Sequence, residues 1–232
     1  TSAKEQIEKF FAAMPSRDPE PAPKAFAPSV TGLFSKANKK DQAVLSYGFP
    51  AFPIGHPDNA PLMVLDTIIS GYSYPGGYLH DALRGESDLV YLVHAYSWPG
   101  LGTGAFRILT QTSPDKVAEV MKRIDAVLAR TAEKPFSDAE VSGARDSMSI
   151  ARGIDRQDVS GRALEMALDE LYGLGYDFHV REDAAIAKVT PQDVLRVARS
   201  VLAKRCLCIT GPEAAIAASK APAVPEAAKK QP

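Results

Sequence analysis

The chain has 232 residues, 45% of them hydrophobic and 24% charged, with a formal net charge of -1. Such a balance belongs to a folded globular chain rather than a disordered one, and near-neutrality gives no electrostatic footprint for nucleic acid or an anionic membrane. Four histidines and two cysteines leave little material for a metal centre, and the longest apolar-rich runs, such as residues 61–70, fall short of the ~20 residues of a membrane span.

Ile7, Phe10, Phe11 and Met14 repeat at helical spacing behind Ser2, a capping residue type, so a first helix is expected to end at Pro15. A proline-rich connector follows (Pro19, Pro21, Pro23, Pro28), extended and surface-lying. Residues 29–35 and 42–49 read as two strands around a polar turn, paired as a hairpin or lying side by side. Beyond a loop over 50–59, Leu62, Met63, Leu65, Ile68 and Ile69 form the apolar side of a helix ending near Gly71. Gly76 and Gly77 punctuate a turn before a short helix over 78–84, and strands over 89–98 and 104–112 come next.

The second half reads as helical. Ser113-Pro114 opens a helix with Val117, Val120, Met121, Ile124, Val127 and Leu128 inward. Ser137-Asp138-Ala139-Glu140 is a capping box for another. A third carries Ala163, Leu164, Ala167, Leu168 and Leu171; a last one starts at Thr190-Pro191, with Val194, Val197, Ala198, Val201 and Leu202 inward. Residues 206–210 make a closing strand on which Cys206 and Cys208 point to one face, too close in sequence for an ordinary disulfide. They read as two small hydrophobes packed under the sheet. Residues 1–212 are expected to form one domain, and 213–232, rich in Ala, Pro and Lys, a low-complexity tail with no core to join. Clustered strands followed by helices predict an α+β fold: a two-layer sandwich whose mixed, mainly antiparallel sheet is covered on one face by helices.

Neither a phosphate loop, a dinucleotide fingerprint nor a Gly-x-Ser-x-Gly elbow occurs. His56, His80, His94 and His179 are scattered, and His179-Val180-Arg181-Glu182-Asp183 echoes a zinc motif with Asp183 where a second histidine would stand. Spacing and composition alone yield a globular α+β domain without a self-contained active site.

The order of short motifs says more. Gly48-Phe49-Pro50, His56-Pro57-Asp58, Gly76-Gly77, Leu83-Arg84 and Leu89-Val90-Tyr91 succeed one another, and Thr190-Pro191-Gln192-Asp193-Val194 opens the late helix. Their sequence and spacing, over about residues 2–212, resemble the C-terminal half of the insulinase-like, or pitrilysin-type, zinc metallopeptidases (mitochondrial-processing-peptidase-like fold). The resemblance implies two homologous halves enclosing a chamber. The first half carries zinc and a glutamate that activates water. The second has no metal ligands and lends an Arg/Tyr pair seven residues apart, which Arg84 and Tyr91 match.

On that reading Arg84 and Tyr91 are the site residues, binding substrate and stabilising the transition state in trans to zinc. This chain carries no cofactor, and its partners are a zinc-bearing half and a peptide substrate. His80, one turn before Arg84, becomes a chamber neighbour. Tyr72, Tyr74 and Tyr78 either line a peptide groove or pack on one another. Tyr96 and Trp98 read as core or sheet surface, and His56 and Asp58 as loop and helix cap. Two departures stand out: Tyr78-Leu79-His80 replaces the family's Ser-Arg-Leu helix start, and the strand that opens the family's half-domain is missing, as if the chain were cut from a longer protein. The alternatives are a non-catalytic structural or assembly subunit of the same family and a plain peptide-binding module. Compartment stays open, with bacterial periplasm or cytoplasm favoured.

Overall fold

The computed structural model describes residues 2–15, 31–85 and 89–220. Its sheet has five strands, β1 (Gly32–Ala37), β2 (Ala43–Ala51), β3 (Val93–Trp98), β4 (Gly104–Thr112) and β5 (Cys206–Gly211), in the order β1-β5-β2-β4-β3. β5 is parallel to β1 and antiparallel to β2, and the other neighbours are antiparallel. The expected α+β class and mixed, mainly antiparallel sheet are both present. β1 and β2, however, are not partners: β5 lies between them. Nearness in sequence suggested the hairpin, whereas a strand arriving from the far end of the chain decides the pairing.

Alternation along the strands creates the two layers. Leu45, Tyr47 and Phe49 of β2 stand opposite Thr110, Ile108 and Phe106 of β4, and all six are buried. On the buried face lie α2 (Asn59–Ser70), α3 (Gly77–Leu83) and α8 (Pro191–Leu202), with α4 (Val117–Glu133) packed on α3 and α8 and α5 (Asp138–Asp155) on α2. Val117, Val120, Ile124, Val127 and Leu128 of α4 and Val194, Val197, Ala198 and Val201 of α8 form the apolar stripes the spacing predicts. The Ser137–Glu140 capping box closes with both reciprocal bonds, and Thr190–Asp193 makes a second. No described helix is long and apolar enough to cross a membrane.

Local signals misled at several points. Ser2 caps α1 (Ala3–Phe11) as expected, but none of that helix is buried, so its apolar residues do not join the core. The connector over 16–30 lies outside the described residues. The tail does not begin at 213. Glu213–Ser219 forms α9, with Ala215 and Ser219 buried and the helix lying on β5 and α4. Small alanine side chains let it sit close to Gly211, where an added Cβ would stand 3.4 Å from that of Ala215. Residues 221–232 lie outside the described residues.

A different force holds α6 (Val159–Leu171) and α7 (Phe178–Ala187). The Leu164–Leu171 stripe is not core: no residue of α6 is buried. Instead Arg152 of α5 donates to Glu182 and Asp183 of α7 at 2.6 and 2.7 Å, and Arg156 bridges Asp183 and Glu165 of α6. Arg156 holds the Glu165 carboxyl below its ordinary range. Burial raises that of Asp183, but the two arginines outweigh it and leave it lowered. Carboxyls with depressed folded-state pKa values stabilise above their unfolded values. This clamp is therefore complete at neutral pH and fails only as pH falls through the lowered values. Removing one partner of a fully buried pair costs ~3–5 kcal/mol. Because Glu182 and Asp183 remain 23% and 40% exposed, Arg152→Ala is expected to cost about 2 kcal/mol. Amide hydrogen exchange should then accelerate over 159–187 while the sheet keeps its protection.

Candidate active-site half

Free sheet edges invite pairing with other strands, and the β3 edge is closed from within. Ala95 N–H donates to Ser70 Oγ at 2.7 Å and Ser97 N–H to Asp66 Oδ2 at 3.1 Å. Four residues of helix rise about 6 Å and two of strand about 6.8 Å, so side chains one turn apart on α2 stand in for a neighbouring strand's carbonyls. The other Asp66 oxygen is buried without a partner. Burial pushes this carboxyl up to about 7, against the pull of the Ser97 N–H.

α2 also positions α3. Gly71 and Gly77 frame the turn between them at φ 80° and 72°, and a Cβ on Gly77 would fall 2.3 Å from the Ile68 carbonyl oxygen, so only glycine fits. Leu79 and Leu83 are fully buried. At the far end Arg123 of α4, itself bonded to Glu119 at 2.8 Å, donates to the Ala82 carbonyl at 2.9 Å. Arg84 follows as the C-cap, where a cation complements the helix dipole.

The chain then returns to the same place. Leu89 N–H donates to the Leu83 carbonyl at 3.0 Å, Val90 is buried, and two threonines of β4 pin the backbone on either side of Tyr91. Thr112 donates to the Leu89 carbonyl and Thr110 to that of Leu92, both at 2.7 Å. Tyr91 thus sits at a bend, two residues before β3 begins at Val93 rather than on a strand starting at 89. Its ring is 77% exposed and lies 5.5 Å from the Arg84 guanidinium carbon. Gln42, Gln111 and Lys116 join the pair around an open hollow of about 330 Å³.

The expected neighbours divide. His80 does not line that hollow; its Nε2 is buried without a partner. Tyr72, Tyr74 and Tyr78 do share a groove of about 540 Å³ with Ile150 and Ile154 of α5. There Tyr78 donates to Glu140, Arg130 stacks 3.8 Å above its ring, and burial with Glu140 pushes the phenol up to about 12. Asp58 occupies the N-cap position of α2 but makes no cap bond; it pairs with Arg196 at 2.7 and 3.0 Å. Trp98 lies 69% exposed and Tyr96 half-buried on the sheet face away from the helices.

Residues 1–148 match the family model of the peptidase M16 inactive domain. The chain belongs to that family. The resemblance carried by residues 48–91 is thereby borne out, and this M16 domain has zinc-protease relatives. An uncharacterised zinc protease of Streptomyces coelicolor is 28% identical over 176 residues, covering 75% of this chain but 38% of that protein. A protease of Helicobacter pylori shares the fold at a TM-score of 0.76 and 14% identity, over 91% of this chain and 53% of that one. An M16 inactive domain from Pseudomonas fluorescens does so at 0.69 and 18%, over 83% and 47%. The M16 domain therefore spans about half of these relatives, or less.

A catalytic zinc finds no ligand set among the described residues. Among the described residues no three His, Cys, Asp or Glu side chains stand close enough to hold a metal ion. In the 179–183 stretch Glu182 and Asp183 serve the arginine clamp, and His179 Nδ1 faces Asp169 at 3.9 Å.

Proposed function

We propose that this M16 domain is the substrate-binding, zinc-free half of a zinc-dependent endopeptidase. It supplies Arg84 and Tyr91 to a chamber shared with a zinc-bearing homologous half, in the same polypeptide or in a partner subunit. The observation that carries this reading is the mounting of the pair. Side chains seven residues apart are held 5.5 Å from each other by buried leucines, Arg123, Thr110 and Thr112, yet both open to solvent.

Each group has a task suited to its chemistry. The Tyr91 phenol is a neutral donor, able to hydrogen-bond a scissile carbonyl as its oxygen gains charge. The Arg84 guanidinium offers several fixed donors for peptide carbonyls. Zinc, bound in the other half, supplies the Lewis acid. In water such donors are worth little, because solvent competes and the dielectric is high. A ring 77% exposed therefore gains its effect only when a second half closes over it.

Hydrogen bonds to charged groups contribute about 1.5–3 kcal/mol, so Arg84→Ala in the complete two-half enzyme should lower kcat/KM roughly 10- to 100-fold, mainly through KM. Zinc content should not change. Unaltered kcat/KM would remove Arg84 from the site.

A further inference from the structure

We propose that Cys206 and Cys208 form a two-thiolate binding site for a soft monovalent cation, copper(I), on the open face of the sheet. The proposal is independent of the Arg84/Tyr91 site. The two cysteines were expected to lie under the sheet, but the strand's alternation puts Leu207 and Ile209 there instead. Both thiols are free, Cys208 is exposed, and Cys206 is half-buried. Their sulfurs stand 3.9 Å apart, beyond the ~2.05 Å of a disulfide. Metal–sulfur bonds of about 2.3 Å span that 3.9 Å gap at an S–metal–S angle of about 116°, the bite of a three-coordinate ion whose third position is left to an external ligand.

A second observation concerns what is absent around the pair. Across the sheet Cys206 faces Gly32 on one neighbouring strand and Gly48 on the other. Gly32 has φ +134° and needs to be glycine. Gly48 does not: its φ is not positive, and an added Cβ would meet only the Cys206 carbonyl oxygen at 3.7 Å, an ordinary contact. Glycine inside a strand weakens it, and commonly marks a place where a ligand or another backbone comes close. Here it leaves the position opposite Cys206 without a side chain. Phe34 and Ser46 flank Cys208, and the Ser46 hydroxyl already accepts from Arg107 at 2.9 Å.

The ligand set selects the ion. Zinc wants four protein or water ligands in a tetrahedron, and no third His, Cys, Asp or Glu joins the pair among the described residues. Copper(I) favours soft thiolates and accepts three-coordination, so two cysteines and one small external thiol complete its set. Binding displaces thiol protons.

The test is titration of the reduced full chain, without oxygen, with copper(I) in competition with bicinchoninate, alongside thermal melts. One copper(I) per chain is expected, with a rise of several degrees in Tm because the ion binds the folded state. Cys206→Ser and Cys208→Ser should each weaken binding at least 100-fold. Gly48→Val, whose Cβ would meet nothing closer than 3.7 Å, should weaken it about tenfold with both thiols intact. Binding no stronger than in the double serine variant, binding that survives loss of one thiol, or a Tm that copper(I) leaves unchanged or lowers would each overturn the site.

Discussion

Tyr91→Phe, made in the complete two-half enzyme, is expected to lower kcat about 10²- to 10³-fold, the usual loss when one preorganised donor to a developing oxyanion is removed. The fold should not notice. The side chain is 77% exposed, and Thr110 and Thr112 hold the backbone around it through the main-chain carbonyls of Leu92 and Leu89, with Val90 buried. Phenylalanine also keeps the aromatic face beside the Arg84 guanidinium. The expected pattern is therefore a large fall in kcat with KM and Tm nearly unchanged. An enzyme that keeps full turnover would show that Tyr91 merely lines the hollow; one that loses stability as well would show that the residue is structural.

A second substitution should act in the opposite direction. Asp66 serves the β3 edge through one oxygen and buries the other without a partner, and burial pushes its carboxyl up to about 7 from 3.8. A raised folded-state pKa means that the folded chain holds the proton more tightly. The stability this confers is complete below the unfolded value and is lost as pH rises through the folded one. Asp66→Asn keeps an acceptor for the Ser97 N–H and never charges. Above pH 7 the variant should be more stable by about 2–4 kcal/mol, since each tenfold gain in proton affinity is worth about 1.4 kcal/mol. For a chain of this size that is a rise of about 10 °C in Tm. The gain should shrink steadily as pH drops from 7 toward 4. Melting curves of the two proteins that stay parallel across that range would show that Asp66 is not held protonated.

Legibility in the sequence followed how local each interaction is. The capping box at Ser137, the helix start at Thr190 and the apolar stripes of α4 and α8 depend on residues three or four apart, and all were read correctly. The position of β5 between β1 and β2 depends on pairing across the whole chain, and was not. The leucine stripe of α6 does not mark a core face, because charges on α5 and α7 rather than apolar burial hold that helix. α7 escaped notice for the related reason that Ile186 alone is buried along it. Arg84 and Tyr91 were singled out through the family resemblance and their spacing, and the fold sets them 5.5 Å apart. Arg123, Thr110 and Thr112, which mount the pair, were missed. Their partners lie 18 to 41 residues away, and a helix arginine or a strand threonine carries no local mark of such a role.

Reconstitution tests the division of labour most directly. Peptide hydrolysis would be measured with this domain alone, with the zinc-bearing half alone, and with the two together at equal concentration. Activity is expected only from the combination, and it should be abolished by a zinc chelator. Hydrolysis by this domain alone, or equal rates from the zinc-bearing half with and without it, would contradict its role as the substrate-binding half of a shared chamber.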